Sequence, residues 1–229
     1  MNEATAPTDA ARLTDATRAA RRLRGEILRG DVPPGTKLKL VPLAERYAVS
    51  RGPLREAASR LAAEGLLTIE DQRGFRVAAI SRADLLDVTE TRKRIEVLAL
   101  RDAMAHGDLA WEGRIMAALH VLDRAPPTDR EAFAQHHKAF HEALVSACPS
   151  GYLRRFRVQL YGLTERYRNL AAERYASAAD RDVAAEHRDL AAAVVARQTD
   201  RACDLLAAHL DETAQTLIAA YPHLFGAQP

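Results

Sequence analysis

The stretch from Leu43 to Val77 constrains the fold of this chain more strongly than any other part of the sequence. Apolar residues at helical spacing predict a short helix that ends near Tyr47 and a longer helix capped by the hydroxyl of Ser50. Pro53 is tolerated in the first turn of the longer helix, where its missing N–H would have no helical partner. Gly65 stands where a helix ends in a left-handed residue. This order predicts a helix-turn-helix.

A small basic hairpin follows the second helix. Residues 66–69 predict a strand, residues 71–74 a tight turn and residues 75–77 the returning strand. A lone amphipathic helix with arginines is more often a solvated surface helix. Helix, turn, capped helix and basic hairpin in this order instead predict a winged helix-turn-helix that binds duplex DNA.

The outward face of the second helix carries Arg51, Arg55 and Arg60. Arginines near the N-terminus of a helix in the major groove can donate two hydrogen bonds to O6 and N7 of guanine. Contacts from other basic residues to phosphate fix the register without reading sequence. Arg73 lies at the tip of the hairpin, where it can reach the DNA backbone or the minor groove. These arginines are therefore the first candidates for DNA contact.

The segments AVSRGPLREAASRLAAEGLL and RGFRV resemble the DNA-binding domain of GntR-type bacterial transcriptional regulators. Many members of that family have Thr or Ser where this chain has Gly52, so only the backbone is left to contact DNA at that position. The resemblance implies the following DNA-binding residues: Ser50, Arg51, Gly52, Arg55, Gln72, Arg73 and Gly74.

Length, charge and cysteine content narrow the class of protein. The chain has 229 residues, which is enough for one or two domains. It has no apolar stretch of the about 20 residues that span a bilayer and no signal-type apolar core, so no membrane partner is expected. Cys148 and Cys203 have no metal-ligand or redox spacing and fit packed thiols in a cytoplasmic protein. The basic excess lies in the first 80 residues, as in a nucleic-acid-binding module.

The second half of the chain has only helical patterns. Ser81 and Asp108 are expected to begin its first two helices, and a capping box from Thr128 to Glu131 the third. A helix from Asp180 is expected later. The long helix between them has a predicted apolar stripe of Leu153, Phe156, Leu160, Leu163, Tyr167 and Leu170.

The predicted fold is mainly α, with an N-terminal winged helix-turn-helix and a C-terminal all-α antiparallel bundle. We expect a disordered tail over residues 1–13, the DNA-binding domain over residues 14–80, an effector-binding and dimerisation domain over residues 81–222, and a tail over residues 223–229.

Four histidines in the second domain are spaced like metal ligands. His137 and His141 stand at i and i+4 on the third helix of the domain, so they project from one face. His187 lies near the start of the fifth helix and His209 lies within the last. Imidazoles with one or two open coordination positions suit the divalent metal ions Zn²⁺, Ni²⁺, Mn²⁺ or Fe²⁺. The spacing alone also fits ordinary core or surface histidines.

The segments HKAFHEAL and EHRDLAAAVVARQTDRACDLLAAHL resemble the effector domain of the FadR branch of GntR regulators, called the FCD domain. The resemblance implies that His141, His187 and His209 bind a divalent metal beside an effector pocket. His137 stands where the family usually has Asp. The segment VTETRKRIEVLAL is similar to the family's R-x3-E helix, which makes Arg92 the expected pocket arginine.

The effector is expected to be a small carboxylate. Within the FadR branch, AWEGR, FHEAL and ERYR are similar to glutarate-responsive repressors, which implies a dicarboxylate or a related carboxylate. Arg166 and Tyr167 on the long helix are further candidates for the effector pocket, and surface or packing roles fit them equally well.

We predict a transcriptional regulator, with repression the commoner outcome, and not an enzyme. It would bind a near-palindromic double-stranded operator as a homodimer, because helix-turn-helix half-sites repeat about one helical turn apart. One alternative is a helical-bundle metalloenzyme, which would require a general base beside the metal. Glu142 and Glu186 adjoin expected ligands but are predicted to point away from the ligand face. The other alternative is a DNA-binding protein with a purely structural metal.

Overall fold

The chain forms two compact units, Met1–Ile80 and Ser81–Pro229. The computed structural model describes residues 13–70, 74–126, 129–170, 181–220 and 222–225. Residues 1–12 and 226–229 of the predicted tails lie outside that description. The mainly α architecture, with a winged helix-turn-helix followed by a helical bundle, is confirmed.

The first unit has the elements of a winged helix-turn-helix. They are α1 (Asp15–Arg29), α2 (Leu40–Tyr47), α3 (Arg51–Ala63), β1 (Leu67–Glu70) and β2 (Gly74–Val77). The two strands are antiparallel, with Leu67 opposite Val77 and Glu70 opposite Gly74. This is the predicted hairpin, with β1 displaced by one residue and β2 beginning one residue earlier than predicted.

Helix α3 packs its apolar face on α1 and α2. Leu23 of α1 and Leu54 and Leu61 of α3 are fully buried. The hydroxyl of Tyr47 donates a 2.7 Å hydrogen bond to the buried carboxylate of Glu26, which ties α2 to α1. The opposite face of α3 is consequently left at the surface of this unit.

The second unit is a bundle of helices in which the described residues form no strand. Its core lies around the fully buried Trp111, Phe140 and Leu100. Among the described residues, no helix is both long and apolar enough to span a membrane. The helices are α4 (Arg82–His106), α5 (Leu109–Asp123), α6 (Arg130–Leu144), α7 (Gly151–Leu170), α8 (Val183–Val195) and α9 (Thr199–Ala220), followed by a 3-10 turn at Pro222–Phe225.

Two of the predicted helix starts are confirmed and two are wrong. Ser81 and Asp108 cap α4 and α5 with their side chains, as expected. Helix α6 is capped by Asp129, whose carboxylate accepts a 2.9 Å bond from Ala132 N, and not by a box from Thr128, which lies outside the described residues. Helix α8 begins after Asp182, which caps it in the same way, so the predicted start at Asp180, also outside the described residues, is too early.

The predicted apolar stripe of α7 is wrong at Phe156, whereas Tyr167 of that stripe is buried as predicted. Phe156 is 47% exposed, whereas Arg157, Tyr161 and Thr164 are buried. The reason is that α7 packs against α4, where Arg157 bonds to Glu96 and Thr164 accepts a bond from Arg92.

We expect Gly107→Ala to destabilise the second unit by about 1–3 kcal/mol, the usual range for overpacking a tight core. A Cβ at this position would lie 2.1 Å from Cε3 of the buried Trp111. Urea unfolding of the purified chain measures the change.

Gly113→Ala is the matched control. Nothing lies within 4 Å of a Cβ added to Gly113 in the interior of α5. This substitution should stabilise the protein by up to about 1 kcal/mol, because Gly is a poorer helix former than Ala. Equal effects of the two substitutions would contradict the packing argument.

Candidate metal centre and nucleic-acid interface

The outward face of α3 presents the residues that the sequence singled out. Ser50, Arg51, Gly52 and Arg55 are all exposed. Ser50 is the N-cap residue by position, but its side chain makes no capping hydrogen bond, so the predicted cap bond is wrong. Its hydroxyl is therefore not committed to the helix end.

The arginines of α3 differ in their partners. Arg60 forms an ion pair with Glu56 one turn away and donates a 3.2 Å hydrogen bond to Thr17. Arg51 and Arg55 form no ion pair within the described part of the chain. Two exposed guanidiniums at the start of the helix are thus available to an external anion.

The wing is described only at its base. Gln72 and Arg73 lie outside the described residues. Gly74 begins β2 with φ +95, a conformation that side-chain-bearing residues rarely adopt. Arg76 on the same strand donates to Glu70 and to the carbonyl of Gly35, so it is used within the unit.

The second unit brings the four predicted histidines together. His137 and His141 come from α6, His187 from α8 and His209 from α9. Their potential ligand nitrogens all lie within 4.8 Å of one another. Nitrogens around a tetrahedral ion at about 2.1 Å are about 3.4 Å apart. The four rings are therefore close enough to hold one metal ion after they move inward.

The hydrogen bonding of these imidazoles fits a metal. Each is at most 8% exposed. Within the described residues, neither nitrogen of His141 has a hydrogen-bond partner, and Nε2 of His187 has none. Buried polar atoms are rarely left unsatisfied in folded proteins, so a group that accepts these lone pairs is expected. Four neutral imidazole nitrogens form a ligand set that could hold a divalent metal ion.

Burial lowers the pKa of all four histidines below the ordinary value, because an imidazolium would lose its hydration. Positive neighbours lower it further: Arg168 acts on His137 and the other imidazoles act on His141. The pKa of His187 falls to about 3. The cluster is therefore neutral at physiological pH, which is the state that binds metal.

Glu186 contacts this cluster, contrary to the prediction that it points away. Its Oε2 lies 2.8 Å from Nδ1 of His209. Arg181 donates to both carboxylate oxygens of Glu186, at 2.6 and 2.5 Å. Burial would raise the pKa of Glu186, but the hydrogen bonds from His209 and Arg181 outweigh it and lower the pKa to about 2.

A buried ionic triad lies on the faces of α4 and α7 that meet. Arg92 Nε donates to Glu96 Oε1 at 3.0 Å, and Arg157 Nε donates to Glu96 Oε2 at 2.7 Å. All three side chains are at most 2% exposed. Arg92 Nη2 and Arg157 Nη2 have no partner among the described residues. Two guanidiniums share one carboxylate here, which leaves excess positive charge and two unused donors.

Tyr161 joins the triad to the histidines. Its ring centroid is 4.8 Å from Cζ of Arg92 and 4.7 Å from Cζ of Arg168. Its hydroxyl is 3.3 Å from Nδ1 of His137. Tyr161 and Arg157 were not among the site residues predicted from the sequence. The spacing of Arg157, Tyr161, Thr164 and Arg168 along α7 is itself helical, and it is the signal that could have found them.

The three residues predicted to bind effector do not lie together. Arg92 belongs to the triad and also donates to Thr164 at 2.9 Å. Arg166 and Tyr167 instead bond the carboxylate of Asp84 at the start of α4. Arg166 follows Tyr161 by five residues, which turns it about 140° around the helix. Arg166 and Tyr167 therefore face another direction from the groups around Arg92.

Comparison with protein families gives two matches. Residues 15–77 match the family described as bacterial regulatory proteins, gntR family, and residues 87–212 match the FCD domain. The two matched ranges fall within the first and the second compact unit, respectively.

Named relatives and solved structures agree with this match. The chain is 38% identical over 195 residues to the HTH-type transcriptional repressor GlaR of Escherichia coli, covering 82% of this chain and 89% of that protein. It is 38% identical over 199 residues to the uncharacterized HTH-type transcriptional regulator BphR of Paraburkholderia xenovorans, covering 84% and 80%. The solved structure of E. coli McbR/YncC is similar in fold, with a TM-score of 0.79 and 21% identity over 91% of this chain and 99% of that one.

We expect the metal-free protein to lose stability as the pH falls from 7.5 to 5. Unfolded histidines take up protons below a pKa of about 6.5, whereas the four folded ones, with lowered pKa values, take up fewer. Unfolding therefore becomes more favourable with acid, and His187 alone lowers the free energy of unfolding by about 2 kcal/mol at pH 5. Urea unfolding of chelator-treated protein across this range measures it.

His141→Leu should make this pH dependence shallower, because it removes one buried titrating group that has no hydrogen-bond partner among the described residues. His120→Gln, at an exposed position, should leave it unchanged. An unaltered dependence in His141→Leu would contradict the assignment.

Proposed function

The chain belongs to the GntR family of bacterial regulatory proteins and has an FCD domain, and we propose that it is a repressor whose operator binding is controlled by a small carboxylate held beside a divalent metal ion. The family membership makes it a DNA-binding transcriptional regulator and not an enzyme. The metal, the effector, the dimer, the cytoplasmic location and the sign of regulation belong to the proposal.

The exposed guanidiniums of Arg51 and Arg55 support DNA reading by α3. They lie on the exposed face near the start of the helix and have no ion pair in the described part of the chain. At the N-terminus of a recognition helix, such arginines reach base edges. Ser50 and the backbone at Gly52 would contact DNA beside them, and Gln72, Arg73 and Gly74 of the wing stay predictions.

We propose that the protein binds a near-palindromic operator as a homodimer. One helix covers only a few base pairs in the major groove, and two-fold repeated half-sites supply the remaining specificity. The bundle is the proposed dimerisation domain.

The observation that carries the effector proposal is the pair of unused donors, Arg92 Nη2 and Arg157 Nη2, buried beside the four histidines. Tyr161 spans the short distance between the two groups of residues. A metal ion at the histidines would add positive charge and open positions for oxygen ligands. Arg92, Arg157 and Arg168 would then neutralise and orient a carboxylate through charge-assisted hydrogen bonds.

Arg166 and Tyr167 are left out of the proposed effector site. Their engagement with Asp84 supports a role in fixing the start of α4 against α7.

The effector would act by favouring one of two arrangements of the DNA-reading units. It can shift that equilibrium only by as much as its affinities for the two arrangements differ. A purely structural metal would give no response to small molecules, and this difference separates it from the proposal.

The metalloenzyme alternative finds no support in the described residues around the histidines. Glu186 is the carboxylate bonded to one of them, and Arg181 and His209 occupy its oxygens. It is therefore not available there as a general base.

We expect Arg51→Ala to weaken operator binding by about 1–3 kcal/mol and to relax base preference at one position of each half-site. The operator is first recovered by selection from random duplexes with the wild-type chain. Fluorescence anisotropy at one fixed salt concentration then compares the variants, since such affinities depend strongly on salt.

Arg60→Ala is the control on the same helix, because Arg60 is already paired with Glu56. It should bind nearly as the wild type does. An Arg51→Ala variant that keeps wild-type affinity and base preference would remove Arg51 from direct readout.

We expect Arg92→Lys to lose most of the thermal shift that carboxylates of three to six carbons give the metal-loaded protein. Lysine keeps the charge but loses the two-pronged donor, and the half-saturating concentration should rise about 10-fold or more. A thermal-shift screen with Ni²⁺- or Zn²⁺-loaded protein measures it, and a chelator should abolish the response.

Arg94→Lys is the matched control, since Arg94 is exposed on the same helix and pairs with Glu90. It should respond as the wild type does. Equal responses from Arg92→Lys and the wild type, or a response unaffected by the chelator, would contradict the proposed effector site.

A further inference from the structure

His209 differs from the other three histidines in having a carboxylate partner. Its Nδ1 lies 2.8 Å from Oε2 of Glu186. Among the described residues, Glu186 is the one carboxylate bonded to any of the four histidines. Glu186 lies on α8 directly before His187. Helix α8 therefore carries His187 of the cluster and also the carboxylate that contacts His209.

Arg181 holds Glu186 in place. Besides its two bonds to the carboxylate, it donates to the carbonyl of His209 at 3.0 Å and to Oγ1 of Thr213 at 3.1 Å. Its guanidinium therefore ties the start of α8 to two successive turns of α9. Arg181 therefore bonds both to the carboxylate of Glu186 and to the backbone of His209, which fixes the carboxylate relative to the imidazole.

This contact selects one tautomer of His209. A carboxylate beside a guanidinium is ionised and can only accept hydrogen bonds. Nδ1 of His209 must therefore carry the proton, because its closest partner is Glu186 at 2.8 Å, whereas Arg181 Nη2 lies at 3.4 Å. Nε2 is left as the nitrogen with the free lone pair.

We propose that Glu186, clamped by Arg181, is a positioning residue that fixes His209 with Nε2 free, and that it thereby strengthens divalent-metal binding by the four histidines. The inference rests on the proposed metal site and deepens it. A carboxylate that accepts the other N–H of a ligand histidine orients the ring and makes it a more basic donor.

The test compares Glu186→Ala and Glu186→Gln with the control Glu142→Ala in the full chain. Glu142 also adjoins a histidine of the cluster, but it is exposed and lies 3.8 Å from its ion-pair partner Lys138. Zn²⁺ and Ni²⁺ affinities are measured by competition with a chromophoric chelator. The tautomer of His209 in metal-free protein is read from its imidazole ¹⁵N shifts by NMR.

We expect Glu186→Ala to bind both metals about 10- to 100-fold more weakly and to show a mixture of His209 tautomers. Glu186→Gln retains an acceptor oxygen, so it should keep the Nδ1–H tautomer and lose less affinity. Glu142→Ala should match the wild type in both measurements.

Two results would overturn the proposal. One is wild-type affinity and an unchanged tautomer in Glu186→Ala, and the other is an equal loss in Glu142→Ala. A wild-type chain that binds neither metal would instead refute the proposed metal site. The tautomer comparison would still decide whether Glu186 positions His209, and Glu186→Gln covers the case in which Glu186→Ala fails to fold.

Discussion

Neutral imidazoles and excess guanidinium charge are buried side by side in the Ser81–Pro229 unit. The stability of that unit depends on how the cost of burying these groups is offset. Hydrophobic contacts around Trp111 and Phe140 supply the packing, but they cannot satisfy His141 or the free nitrogens of Arg92 and Arg157. Unsatisfied buried polar groups are costly. A group that bonds to these nitrogens would therefore increase the stability of the unit.

The triad of Arg92, Glu96 and Arg157 is a poor source of net stability, which fits its proposed role in effector binding. Buried ion pairs contribute little net stability compared with apolar packing. Here the pairing is also incomplete, because one carboxylate faces two guanidiniums. In the proposed site, an anion would accept hydrogen bonds from Arg92 Nη2 and Arg157 Nη2, which have no partner among the described residues. The excess positive charge favours an acidic ligand.

Much of the fold could be predicted because it follows local rules. Side-chain caps at Ser81 and Asp108 set two helix starts, and the glycine at position 65 has the left-handed φ of +81 that its place after α3 required. The histidine cluster was predicted from the spacing of His137 and His141 together with the family resemblance. The polar stripe of α7 was missed because the prediction looked for an apolar face. Phe156 fitted such a face by its spacing but is exposed. Which face of α7 is buried depends on Arg92 and Glu96 of α4, a long-range pairing that spacing within α7 does not contain.

The same incompleteness gives a physical basis for a switch. A ligand that binds only the folded state stabilises it by about 2.7 kcal/mol at a concentration 100 times its Kd. An ion among the histidines and an anion at the guanidiniums would each add such an increment, and Tyr161 touches both sets of residues. The four histidines and the triad residues come from five helices: α4, α6, α7, α8 and α9. Ligands bound at these residues would therefore connect most helices of the bundle. Under the proposed regulation, a coupling free energy of about 1.4 kcal/mol between effector binding and operator binding would change operator affinity tenfold.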